Sequence, residues 1–130
     1  MTNHMGAVGI AVSDLDRSVD FYTRVLGMTV LTTFELPHMD EAVVGWGRRG
    51  AAVVLMRYTD GSDPTTRDLP VKLVLYLDDP VAAADRIRAE GLPIEREPAP
   101  VPQLGGAVVG FAKDPDGYTL ELLESPDATS

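Results

Sequence analysis

Two kinds of hydrophobic spacing alternate along this chain, and the sequence of them occurs twice. Residues 6–12 alternate, with Val8, Ile10 and Val12 on one face and Ala7, Gly9 and Ala11 on the other, which predicts a strand. From Asp14 onward Leu15, Val19, Tyr22 and Leu26 recur at helical spacing, and Arg17, Asp20 and Arg24 fall on the outer side. Asp14 is a good N-cap, and Gly27 stands where a helix-ending glycine belongs. Residues 29–34, 42–46 and 52–58 read as three further strands. A loop with Pro37 and His38 and a turn at Gly47-Arg48-Arg49-Gly50 separate them. A polar, breaker-rich linker occupies 60–70, and then the pattern restarts. Residues 71–77 predict a strand, and a helix runs from Asp79 and Pro80 to Gly91. A strand starts at 94–96, a Pro/Gly-rich loop covers 98–106, and strands at 107–112 and 119–124 complete the half. The order strand, helix, three strands thus repeats after roughly 65 residues. The fold class is α+β: two βαβββ modules, about 5–59 and 71–125, in a single domain spanning 1–130. Each half alone leaves one sheet face bare, so the halves must pair, within a chain or between chains.

The phase of each strand sorts its side chains. Leu73, Leu75 and Leu77 share one face of their strand, and Lys72, Val74 and Tyr76 the other. Val53, Leu55 and Arg57 oppose Val54, Met56 and Tyr58. In the last strand Leu120 and Leu122 oppose Thr119, Glu121 and Leu123, so Glu121 points away from the apolar face. The turn before it, Asp114-Pro115-Asp116-Gly117, has an aspartate that can bond its own backbone, a proline that presets φ and a glycine free to take positive φ. Ala7, Gly9 and Ala11 are all small, which leaves room above their strand.

Composition narrows the functions. The chain has 130 residues, a formal net charge of −9 and no cysteine. That excludes disulfides and thiolate chemistry and makes a cytoplasmic location the expectation. The acidic balance argues against nucleic acid as a partner, since no basic run exceeds Arg48-Arg49. No apolar run approaches the ~20 residues that span a bilayer, so no membrane partner is expected.

The stretches Val12-Ser13-Asp14-Leu15-Asp16-Arg17-Ser18-Val19-Asp20-Phe21-Tyr22, Val25-Leu26-Gly27-Met28 and Asp114-Pro115-Asp116-Gly117-Tyr118-Thr119-Leu120-Glu121-Leu122-Leu123-Glu124 carry a resemblance. With the repeated βαβββ order, they resemble the vicinal oxygen chelate superfamily. That group includes glyoxalase I, extradiol dioxygenases, fosfomycin resistance enzymes and bleomycin-binding resistance proteins. The resemblance implies a cup-shaped mixed sheet with helices outside, commonly in a homodimer. In metal-dependent members four ligands come from the first and last strands of each half. Carried over by position, they fall on Ala7, Leu55, Lys72 and Glu121, of which Glu121 alone is a usual donor. The expectation is therefore a ligand-deficient member with no metal and no cofactor. His4 lies on the strand face opposite Ala7, and His38 is a remoter possibility on a loop.

If the family's strand order holds, Lys72 and Glu121 are neighbours and pair in the cup. They are then a grip for a ligand, an acid/base pair, or the neutralised remnant of a metal site. Arg57 enters the cup by parity, and Tyr76 and Trp46 supply aromatic walls. The candidate ligand-binding residues are His38, Trp46, Leu55, Arg57, Lys72, Tyr76 and Glu121, with Lys72 and Glu121 as catalytic candidates. This composition of the cup favours a non-enzymatic protein that sequesters a small-molecule ligand, an antibiotic or other bulky aromatic metabolite, as in bleomycin resistance. The alternative is a metal-independent isomerase or lyase, glyoxalase-like, using Lys72 and Glu121 as acid and base. A structural or regulatory dimer with no small ligand is the third class.

Overall fold

The structure is a computed structural model that describes residues 3–47, 49–64 and 70–126. Residue 48 of the predicted turn and residues 65–69 of the predicted linker lie outside them. The chain divides into two compact units, Met1–Asp68 and Leu69–Ser130.

In the first unit, β1 (Ala7–Ala11) leads to α1 (Leu15–Asp20), a π-helical segment (Phe21–Val25), β2 (Thr29–Glu35), β3 (Met39–Trp46) and β4 (Arg49–Tyr58). The strand order is β1-β4-β3-β2, with β1 parallel to β4 and the other pairs antiparallel. The Asp14 side chain accepts from Arg17 N at 3.0 Å and caps α1, as its position predicted. The single helix expected from Asp14 to Gly27 instead widens after Asp20. Thr23 Oγ1 takes the Val19 carbonyl at 2.7 Å, and Leu26 N bonds back five residues to Phe21 O at 3.2 Å. A side chain that competes for a ladder carbonyl is a sufficient cause of such a bulge. The wide turn buries Phe21, Tyr22, Val25 and Leu26 together, with the Phe21 and Tyr22 rings edge to face at 5.2 Å. Also buried are Ile10, Ala42, Val44, Val53 and Leu55, the alternate residues of three strands.

The second unit repeats the plan with β5 (Lys72–Leu77), α2 (Pro80–Ala89), β6 (Ile94–Val101), a short 3-10 turn (Pro102–Leu104), β7 (Ala107–Lys113) and β8 (Thr119–Glu124). Its order is β5-β8-β7-β6, again with the first and last strands parallel. Two four-stranded mixed sheets, each with one helical layer, give the α+β class. Asp79 accepts from Ala82 N at 3.0 Å, with Pro80 in the first turn of α2. Ala83, Ala84 and Ile87 of α2 are buried with Leu73, Leu75, Ala112, Leu120 and Leu122.

The loop predicted at 98–106 is partly strand, because β6 runs on to Val101. β6 is an edge strand, so Pro98 and Pro100 remove no necessary ladder bond there. Its register against β7 shifts between Arg96 and Ala99, and Gly110 lies opposite the shift. A Cβ on Gly110 would stand 2.7 Å from Pro98 Cγ, 2.9 Å from Pro98 N and 3.0 Å from Arg96 O. Close approach of backbone therefore explains this glycine.

The turn between β7 and β8 is built around Asp114, which is 1% exposed. Its Oδ1 accepts from Asp116 N at 2.9 Å and Tyr118 N at 2.8 Å. Gly117, with φ +90°, closes the turn by donating to Asp114 O at 3.0 Å. Among the described residues no helix is long and apolar enough to cross a membrane.

Because the obstacle at Gly110 is backbone and a proline ring, neither of which can swing away, Gly110→Ala is expected to cost about 1–3 kcal/mol of stability. Urea denaturation of the purified variant measures it, and an unchanged midpoint would contradict the packing described.

Candidate functional site

Burial of the leucines decides what the second sheet presents on its other side. Leu73, Leu75, Leu120 and Leu122 turn towards α2, so alternation turns Lys72, Val74, Tyr76, Thr119, Glu121 and Leu123 to the opposite face. In register, Lys72 lies opposite Thr119 and Val74 opposite Glu121. Across β7, Lys113 lies opposite Thr119 and Phe111 opposite Glu121. Lys113, Thr119 and Lys72 therefore form one row over three strands, and Phe111, Glu121 and Val74 the next. Lys72 leans diagonally between the rows, with Nζ 2.8 Å from Glu121 Oε1. Its side chain is 50% exposed, whereas that of Glu121 is only 12% exposed. Lys113 Nζ donates to Thr119 Oγ1 at 2.8 Å and lies 3.2 Å from Glu95 Oε1. A largely enclosed carboxylate, a hydroxyl and two ammonium groups thus interrupt a face otherwise made by Val74, Phe111 and Leu123. A carboxylate with an ammonium at hydrogen-bond distance can take a proton and supply charge to a neighbouring oxygen.

The other predicted residues are scattered. Tyr76 shares the face of Lys72 but sits opposite Leu123, one row beyond Glu121, and is 60% exposed. His38, Trp46, Leu55 and Arg57 all belong to the first unit. Leu55 pairs with Ile10 and Ala42 and is fully buried among the residues that face α1. It is not on the face of Ala7, contrary to the expected lining role, because β1 and β4 pair Ala7 with Ala52 and Gly9 with Val54. Arg57 has the parity of Leu55 and so does not share the face of Ala7 either. It is exposed near the end of β4, with Nη1 donating to Tyr58 O. Trp46 follows a register shift after Val44, and its Nε1 lies 3.8 Å from where a Cβ on Gly27 would stand. Its indole therefore meets the end of the helical layer instead of forming a wall on the other side. His38 sits in the turn between β2 and β3, where its carbonyl accepts from Thr59 N at 2.9 Å and its ring is 6.4 Å from that of Tyr58. The room expected above the small residues of β1 is occupied at Gly9. Met56 Cε comes within 3.1 Å of the position a Cβ would take there. Lys113 went unrecognised in the sequence. The phase of 107–113 places it beside Phe111, but only the register of β7 on β8 brings it to Thr119.

The two units share one register, and that locates the ligand positions carried over from metal-dependent members. Two residues beyond the partner of Lys72 on β8 stands Glu121, and two beyond the partner of Ala7 on β4 stands Val54. The counterpart of Glu121 is therefore Val54 and not Leu55. Neither Ala7 nor Val54 has a donor atom, and at Lys72 an ammonium already holds the remaining carboxylate. This set does not fit a divalent ion. Among the described residues no group of three or more histidine, aspartate and glutamate side chains could hold a metal.

Residues 3–122 match the model of the glyoxalase/bleomycin resistance protein/dioxygenase superfamily. The chain belongs to that superfamily. A lactoylglutathione lyase of Escherichia coli O157:H7 is 40% identical over 123 residues, covering 92% of this chain and 90% of that one. Among solved structures, a trypanothione-dependent glyoxalase I of Leishmania major superposes with TM-score 0.79 at 28% identity, over 95% of this chain and 87% of that one. An antibiotic binding protein, TnmS3, of a Streptomyces superposes with TM-score 0.75 over 96% of this chain and 98% of that one. At 23% identity, that last likeness shows the fold alone.

These relatives overturn one expectation. A non-enzymatic protein that sequesters an antibiotic or aromatic metabolite is not what they point to. Curated relatives at 34% to 40% identity over most of the chain are named as lyases, which are enzymes. The cup lining that favoured sequestration also fails on geometry, since Trp46, Leu55 and Arg57 do not face the way that reading required.

The one-residue correction in β4 is checked by stability. Leu55→Gln should cost several kcal/mol, about 3 or more, because it buries an unpartnered amide. Val54→Gln, half-buried on the other face, should cost less than about 1.5 kcal/mol. Equal losses for the two variants in thermal or urea unfolding would contradict the assignment of faces.

Proposed function

We propose that this protein is a metal-independent, glyoxalase-like isomerase or lyase whose acid/base pair is Lys72 and Glu121. The single observation that carries the reading is the pair itself: a largely enclosed carboxylate with an ammonium 2.8 Å away, on a sheet face in a chain whose relatives are named lactoylglutathione lyases. The lactoyl group of that name is a 2-hydroxyacyl group. Its 2-oxo isomer, the hemithioacetal of a thiol and a 2-oxoaldehyde, differs in the place of two hydrogens, one moved between adjacent carbons and one between their oxygens. Glu121 takes the proton from the first carbon, and the C–H electron pair becomes the C=C bond of an enediolate. Lys72 stabilises the charge that develops on the neighbouring oxygen. Glu121 then returns the proton to the second carbon while the hydroxyl proton of the first carbon passes to the oxygen of the second, so the carbonyl forms at the first and the hydroxyl at the second. No external oxidant or reductant is needed. The polarising role that a divalent ion fills in metal-dependent members falls to the Lys72 ammonium.

Support for a small-molecule substrate comes from the same face, where Val74, Phe111 and Leu123 give an apolar surround to a few polar groups. We also infer a homodimer. β2 is exposed along its whole length and carries Val30, Leu31 and Phe34, an apolar edge that invites a second copy.

Incubation with glutathione and a three-carbon 2-oxoaldehyde, followed by thioester absorbance, is the direct test. Turnover is expected, unaffected by prior EDTA treatment, and Glu121→Gln should lower kcat by about 100- to 10,000-fold. Absence of turnover, or turnover lost to EDTA and restored by a divalent ion, would sink the proposal. For the dimer, sedimentation at micromolar concentration should read twice the chain mass, and a species of single-chain mass would refute it.

A further inference from the structure

We infer that Thr119, held by Lys113, is a second donor to the reacting oxygen of the substrate; this rests on the acid/base reading of Lys72 and Glu121. A threonine hydroxyl has one hydrogen to give and two lone pairs to receive with. Thr119 Oγ1 accepts from Lys113 Nζ at 2.8 Å, and an ammonium can only donate. Lys72, its opposite neighbour in the row, is likewise a donor without an acceptor. Neither cross-strand neighbour can therefore take the Thr119 hydrogen. Glu121 stands two residues further along the same strand face and is engaged by Lys72.

The row thus presents two donors side by side, the Thr119 hydroxyl and the Lys72 ammonium, with the carboxylate base in the next row. Proton abstraction between adjacent carbons needs this arrangement, in which the base meets the carbon and the donors meet the oxygen one bond away. When Glu121 takes the proton, the negative charge develops on that oxygen. Thr119 and Lys72 then each strengthen a hydrogen bond to it, and both relax as the second carbon is protonated and that oxygen takes the hydroxyl proton of the neighbouring carbon. Lys113 does not touch the substrate. Its charge-assisted bond to Oγ1 fixes the threonine rotamer and polarises the hydroxyl, making it a better donor. Glu95, 3.2 Å from Lys113, anchors that lysine in turn. Lys113 is a positioning residue and Thr119 a catalytic one.

Steady-state kinetics with glutathione and the three-carbon 2-oxoaldehyde tests this on three variants. Thr119→Val keeps the branched shape and the strand propensity but loses the hydroxyl. It should lower kcat by about 100-fold or more, the loss typical of one removed oxyanion donor, with KM changed less than threefold. Thr119→Ser should restore kcat to within about fivefold of the parent protein. Lys113→Met should lower kcat about 10-fold, again with KM little changed. Unchanged kcat in both Thr119→Val and Lys113→Met, a loss confined to KM, or failure of Thr119→Ser to restore turnover would each overturn the inference. Glu121→Gln measured alongside separates the two levels. If Glu121→Gln is inactive while Thr119→Val is unimpaired, only the role of Thr119 is wrong; if Glu121→Gln retains full turnover, the acid/base reading itself fails.

Discussion

A strand has a side-chain period of two, and in each unit here one of its two faces is buried against a helix. That constraint governs everything else in the molecule. In the second unit, slipping β8 by one residue would carry Leu120 and Leu122, both fully buried, onto the exposed side and bring Glu121 against Ala83, Ala84 and Ile87. At roughly 2 kcal/mol for each leucine exposed, and more for a carboxylate buried without its partner, no such slip is tolerable. The leucines thereby hold Glu121 and Thr119 on the face that Lys72 and Lys113 also reach. The geometry of this polar cluster is a by-product of hydrophobic burial on the opposite side of the same strands.

The two units apply one scaffold to different ends. Both are βαβββ, both pair the first and last strands in parallel, and both share the same register. Yet Ala7 and Val54 of the first unit stand where Lys72 and Glu121 stand in the second. A pair of side chains without donors in one unit, and an ion pair in the other, are not the donor set of a metal-dependent member. On the second sheet an ammonium stands next to the carboxylate, and under the proposed function it supplies the charge that a metal brings in metal-dependent members. Membership of a superfamily with lyase-named relatives at 34% to 40% identity therefore coexists with a donor set unlike that of its metal-dependent members.

Helical layers and turns do the supporting work by local chemistry. Asp14 and Asp79 cap their helices with the same bond, to the backbone nitrogen three residues on. Asp114 is buried and its carboxylate accepts from backbone N–H groups that its own turn delivers, and β8 begins from that turn in a defined direction. Gly110 lets β6 bulge against β7, so that a proline-rich segment can serve as an edge strand.

The sequence by itself determined the repeated order of elements, the helix caps, the Asp114 turn and the faces of β5 and β8, because each depends on residues within a few positions of one another. It also brought out Lys72 and Glu121, whose phases agree and whose strands are neighbours in the strand order that the family resemblance implies. Other features depended on pairings between distant segments. The extension of β6 through Pro98 and Pro100 needs a glycine on the facing strand. The assignment of Val54 over Leu55 rests on the register of β1 against β4, and the displacement of Trp46 from any ligand-facing wall on a shift after Val44. Lys113 reaches Thr119 only through the register of β7 on β8. Tertiary structure decided these because register is set by which residues of two strands are buried together, and periodicity in one strand carries its own phase but not its alignment with the next.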